Sequence, residues 1–216
     1  MAYDHAEQEQ LAGLKSWWEQ YGNLATWVLI IVLGAFAAWK GWAYYQNKQT
    51  AQAAQLYEEL QSAVQATDKE KIQRVADDMQ SRFSGTAYAQ MTGLAAAKSA
   101  FDAGDFQMAK TQLQWVADKA RTDEYKAIAK VRLAGILLDE KAYDEGLKVL
   151  AGKFPPQFAG LVDDRKGDIL VAQNKLDEAR VAYQSAMEKM DPRSSGRQLI
   201  QIKLDAIGGA PAGKAA

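Results

Sequence analysis

Hydrophobic residues follow two rhythms along the chain. From Leu24 to Tyr45 they form one nearly unbroken run. No charge falls between Glu19 and Lys40, the centre is Val28-Leu29-Ile30-Ile31-Val32-Leu33, and Trp17, Trp18, Trp27, Trp39, Trp42, Tyr44 and Tyr45 flank it. A helix rises about 1.5 Å per residue, so about 20 apolar residues cross the hydrocarbon of a bilayer, and indole and phenol rings favour its two wet boundaries. The run predicts one transmembrane anchor over residues 24–45, since a buried core helix is usually shorter and not belted by aromatics at both ends. Ala35-Phe36-Ala37 has the small-x-small spacing of a signal-peptidase site. The preceding segment, however, carries Asp4, Glu7, Glu9 and Glu19 against Lys15 alone, where a signal peptide begins with a basic region, and the apolar run continues past Ala37. An uncleaved signal anchor is expected. In the leader, residues 1–23, Leu11, Leu14, Trp18 and Tyr21 fall three or four apart. That stripe fits either an interfacial helix that turns into the membrane at Gly22-Asn23 or the first turns of a longer spanning helix.

After Tyr45 the rhythm becomes helical. Proline is absent until Pro155-Pro156, strong helix formers dominate, and no stretch alternates with period two, so residues 46–207 read as an all-α domain. A helix over 48–65 with Leu56, Leu60 and Val64 continues the anchor; Thr67 or Asp68 caps a second with Ile72, Val75, Met79 and Phe83, ending near Ser84-Gly85. Three segments then align: Gly104-Asp105-Phe106 with Ala109 and Leu113, Lys141-Ala142-Tyr143 with Gly146 and Leu150, and Asn174-Lys175-Leu176 with Ala179 and Tyr183. Ala97, Ala134 and Gly167 precede them at one common offset. A period of about 34 residues with a helix, a tight turn, a small residue and then a large one is the tetratricopeptide pattern. Small side chains permit the close crossing of two helices and large ones fill the gap to the next pair. The predicted fold is therefore one N-terminal transmembrane helix followed by a tetratricopeptide-like solenoid of helical hairpins. A last helix, capped by Ser194 or Ser195 and carrying Leu199, Ile202 and Leu204, covers the end of the stack, and residues 208–216, rich in Gly and Ala, are expected to be disordered.

Composition removes several kinds of chemistry. The formal charge of −1 comes without any Lys/Arg cluster, which argues against nucleic acid as a partner. Cysteine is absent and His5 is the sole histidine, so thiolate chemistry and a Cys/His zinc site are excluded. No phosphate loop, nucleophile with its base, or metal-ligand set is present, and Asp77-Asp78 and Asp163-Asp164 are read as solvated faces, because helix neighbours point about 100° apart. No catalytic residue, cofactor or metal is expected.

Protein binding is the remaining role. The first helix of each hairpin is expected to line a groove with Met91, Leu94, Lys98, Phe101 and Asp102, then Ile128, Val131, Gly135, Leu138 and Asp139, then Leu161, Asp164, Asp168, Val171 and Ala172. Repeats that clamp a C-terminal carboxylate need Lys and Asn at the positions of Leu94 and Lys98, and that arrangement is missing. The lining reads as apolar with an acidic rim, suited to a hydrophobic helix or extended unfolded segment. Alternatively the 48–65 helix or the C-terminal helix covers these residues and makes them core.

The order of parts resembles the YfgM family, ancillary subunits of the bacterial SecYEG translocon, over about residues 11–207. Gly34 to Tyr45 (GAFAAWKGWAYY), Asp177-Glu178-Ala179-Arg180 with Tyr183, and Leu199-Ile200-Gln201-Ile202-Lys203-Leu204 carry the resemblance. It implies an anchor in the inner membrane of a Gram-negative cell, the repeats in the periplasm, and partnership with the translocon and the membrane-bound periplasmic chaperone PpiD. On that reading the protein is an adaptor that links translocated chains to periplasmic chaperones. The other reading is an envelope scaffold whose repeats hold a soluble regulator. Lys15 before the anchor against Lys40 and Lys48 after it leans slightly the opposite way, toward a cytoplasmic domain.

Overall fold

The computed structural model describes residues 2–209, with side chains from residue 15 onward, and every regular element among them is helical. Two compact units part between Gln49 and Thr50, and one helix, α1 (Ala2–Gln65), contains that point.

In the first unit α1 passes through Gly22 and Asn23 without a break, so of the two readings of the leader the longer helix matches the backbone. One glycine costs a helix only about 1 kcal/mol. The Trp18 ring lies where a Cβ on Gly22 would come within 3.1 Å, and Thr26 Oγ1 donates back to the Gly22 carbonyl at 2.7 Å. The apolar run is uncovered among the described residues: Leu29 is 58% and Ile31 65% exposed. Among the described residues one helix is thus long and apolar enough to cross a membrane. Lys40 extends its ammonium over the rings of Trp39 and Phe36, 5.6 and 5.7 Å from their centroids, which eases a charge near the end of the run.

In the second unit one turn recurs. α1 ends at Thr67, α3 (Ala87–Asp102) at Gly104, α5 (Asp123–Asp139) at Lys141 and α7 (Ala159–Ala172) at Asn174, and these turn residues have φ of 55°, 75°, 62° and 59°. In each turn the next residue donates its N–H five residues back: Asp68 to Ala63, Asp105 to Ala100, Ala142 to Leu137 and Lys175 to Leu170, at 2.8–3.0 Å. A left-handed residue with that bond is the Schellman stop, which satisfies carbonyls orphaned at a helix end. A new helix starts at once: α2 (Lys69–Arg82), α4 (Phe106–Lys119), α6 (Tyr143–Leu150) and α8 (Leu176–Lys189). Asp68 and Asp105 cap the first two through Lys71 N and Met108 N, both at 3.0 Å. Among the described residues there are therefore four hairpins, one more than the sequence pattern showed.

The core is continuous from pair to pair. Leu60 and Ala63 of α1 meet Ile72, Val75 and Ala76 of α2 and Ala96 of α3; Ala97 meets Ala109, Leu113 and Val116 of α4 and Leu133 and Ile136 of α5. Val131 and Ala134 of α5 meet Leu150, Val162 and Ile169, and Leu170 meets Ala179, Tyr183 and Ala186 of α8. Burying one such aliphatic side chain contributes about 1.5–3 kcal/mol, so a single pair cannot stand alone. Phe154-Pro155 ends the third pair, and a short 3-10 turn, Pro156–Phe158, leads into α7. α9 (Ser195–Ala206), capped by Ser194 Oγ on Gly196 N, turns Ile200 and Leu204 onto α8 and leaves Leu199 and Ile202 exposed. Its buried face is thus rotated from the one expected. Gly208 and Gly209 close α9 in a turn, and the rest of the expected disordered tail, 210–216, lies outside the described residues.

Candidate partner-binding hollow

Helices α3, α5 and α7 are the first members of three successive hairpins, and residues of all three, with Leu113 of α4, line a hollow of about 410 Å³. Its floor is Ala97, Leu113 and Ile136, and its wall at α3 is Phe101, 40% exposed and packed on Phe106 with ring centroids 5.4 Å apart. Lys98 and Asp102 stand on the α3 rim, Arg132, Gly135 and Asp139 on α5, and Arg165 on α7. Within the second unit neither residues 50–65 of α1 nor α9 contributes to this lining.

Of the residues expected in a groove, Lys98, Phe101, Asp102, Gly135 and Asp139 come together here. Val131 is 4% exposed inside the core with Val162 and Ile169, and Leu138 packs on the same cluster. Leu94 leans on the α4 core and Val171 on the α8 core. Met91 and Ile128 are half-buried and lie outside the hollow; Leu161 and Ala172 are exposed elsewhere on α7. Arg132 and Arg165 were not foreseen. They occupy one helix position beside the expected lining, about 100° round the axis, and change an acidic rim into a mixed one.

The charges differ in how far they are already paired. Lys98 and Asp102 bind each other at 2.5 Å, one turn apart on an exposed face. Arg165 reaches Asp168 at 3.3 Å, while its Nε is buried without a partner among the described residues. Its guanidinium covers the bare backbone at Gly135, where a Cβ would sit 3.5 Å from Cζ.

Behind the hollow, α7 carries a network that the reading of solvated aspartates missed. Asp163 is buried, accepts from Lys189 at 2.5 Å and Ser185 at 2.8 Å, and pairs with Lys166 at 3.4 Å. Burial pushes its carboxyl up, and these hydrogen bonds and lysine charges more than offset that, holding it below the usual range. Asp164 faces α9 and accepts from Lys203 at 2.8 Å; burial raises its carboxyl, with Asp168 adding to the effect. Lys203 also pairs with Asp168 at 2.8 Å, and the Tyr183 hydroxyl donates to the same Asp168 oxygen at 2.9 Å. Burial and Asp168 raise the Tyr183 phenol far above its ordinary value. The two adjacent carboxylates therefore bind different helices, α8 and α9. Among the described residues no group of three or more possible ligands could hold a metal ion.

An apolar helix of membrane-spanning length ahead of a helical-hairpin stack with a lined hollow defines a tethered tetratricopeptide-like protein. A family model described as a tetratricopeptide repeat-like domain matches residues 15–209. Relatives named ancillary SecYEG translocon subunit include one from Neisseria gonorrhoeae, 32% identical over 96% of this chain and 100% of its own. Others are from Haemophilus influenzae, 28% identical over 93% and 95%, and Escherichia coli, 24% identical over 92% and 95%. The chain belongs to the YfgM family.

Proposed function

We propose that this protein is a membrane-anchored, non-catalytic accessory subunit of the SecYEG translocon in a bacterial inner membrane. Its repeats lie in the periplasm and hold polypeptide segments in the hollow between α3, α5 and α7. There they pass translocated chains to periplasmic chaperones, with PpiD as the membrane-bound partner that the family resemblance implies. The observation that carries this reading is similarity along the whole length to relatives of that name, anchor and repeats together. Support comes also from the hollow, whose floor is apolar and whose lining includes neither residues 50–65 of α1 nor α9. Affinity purification of the full-length protein from detergent-solubilised membranes tests it. Translocon subunits are expected in the eluate; recovery of a soluble regulator alone would replace this reading with that of an envelope scaffold.

A further inference from the structure

The charges on the rim of the hollow are unequally paired. Lys98 is neutralised by Asp102, and Arg165 is only partly engaged by Asp168. Arg132 is exposed and has neither ion pair nor hydrogen bond among the described residues. Arg132 lies three residues before Gly135, and neighbours at that spacing have Cβ atoms about 5–6 Å apart. The Arg165 guanidinium covers Gly135, and both arginines line the same hollow. Two guanidiniums offered to one carboxylate make a directional recognition element. Asp139 stands two turns further along the same face of α5, about 10 Å away, and repels a second negative charge there.

We infer that the hollow selects apolar polypeptide segments by one carboxylate side chain. An Asp or Glu seats between Arg132 and Arg165, its apolar neighbours cover Phe101, Leu113 and Ile136, and the segment is neutral or basic where it passes Asp139. The inference deepens the polypeptide-binding role proposed above and rests on it.

Short labelled peptides of Leu and Ser with one central Glu, Gln or Lys, titrated into the full-length protein in micelles and corrected for micelles alone, test both. The Glu peptide is expected to bind about fivefold tighter than the Gln peptide, the scale of one partly exposed ion pair. Arg132→Gln should weaken that preference and Arg132→Glu should invert it toward the Lys peptide, with the helical circular dichroism unchanged, since Arg132 is exposed. Equal, measurable affinity for the Glu and Gln peptides would overturn charge selection and leave polypeptide binding standing. Failure of every peptide to bind would overturn both.

Discussion

Glycine is needed at some positions here and merely tolerated at others, and what stands opposite decides which. At Gly167 a Cβ would sit 2.9 Å from Tyr183 Cζ and closer still to two other ring atoms. The ring cannot swing clear cheaply, because it is buried and its hydroxyl is tied to Asp168 at 2.9 Å. At Gly135 a Cβ would meet only the Arg165 guanidinium at 3.5 Å, an ordinary contact. Alanine gains about 1 kcal/mol of helix propensity over glycine at either place. Gly167→Ala should nonetheless lower stability by about 1–3 kcal/mol through overpacking, while Gly135→Ala should raise it by up to about 1 kcal/mol. Chemical unfolding of the two variants, followed by helical circular dichroism, checks the opposite signs. The need for a small side chain at Gly167, as at Ala97 and Ala134, could be read from the recurring offset before each turn. The neighbour that enforces it could not, because Tyr183 lies on another helix.

Among the elements, the first hairpin was hidden for a physical reason. Thr67 takes φ 55°, a left-handed conformation unusual for a β-branched residue, so in sequence it reads as a cap and not as a turn. Leu60 stands at the offset that the later hairpins fill with Ala or Gly, and Ala76 where they place Leu or Tyr, so the size code is altered although the backbone turn is the same. Asp163-Asp164 misled differently, since adjacency alone does not say that lysines from two other helices, Lys189 of α8 and Lys203 of α9, reach the two carboxylates. The α7–α8 tie has a pH signature. Asp163 is held below its ordinary range by Lys189, Ser185 and Lys166 acting against burial. A depressed carboxyl contributes stability above its unfolded value of about 3.9, and that contribution is lost as pH falls through the lower folded value. Asp163→Asn should therefore cost about 1–2 kcal/mol at pH 7, the low end for charged hydrogen bonds because Lys189 is 46% exposed. The gap between variant and parent should close as urea melts are repeated below about pH 4; a constant gap would mean that packing, not charge, was lost.

For the molecule as a whole, the helical class and repeat architecture were readable because hydrophobic period, turn residues and small positions agree with one another. The lining of the hollow was readable only in part. Lys98, Phe101 and Asp139 fell where the repeat register put them, but Val131 turned into the core and Arg132 into the hollow, a rotation of one residue that no periodicity resolves on helices buried on several sides. Orientation across the membrane is the property that charge reads worst in this chain. Basic residues near the anchor favour one side by a single lysine, whereas acidic residues carry little weight in that rule. The periplasmic side proposed above can be tested directly, because the chain has no cysteine. Glu19→Cys marks the leader and Glu188→Cys the exposed side of α8, each as the sole thiol. With a membrane-impermeant maleimide applied to cells whose outer membrane alone is opened, Glu188→Cys should label at once and Glu19→Cys only after the inner membrane is lysed. The reverse order would put the repeats in the cytoplasm, where they could not meet a chain that has already crossed.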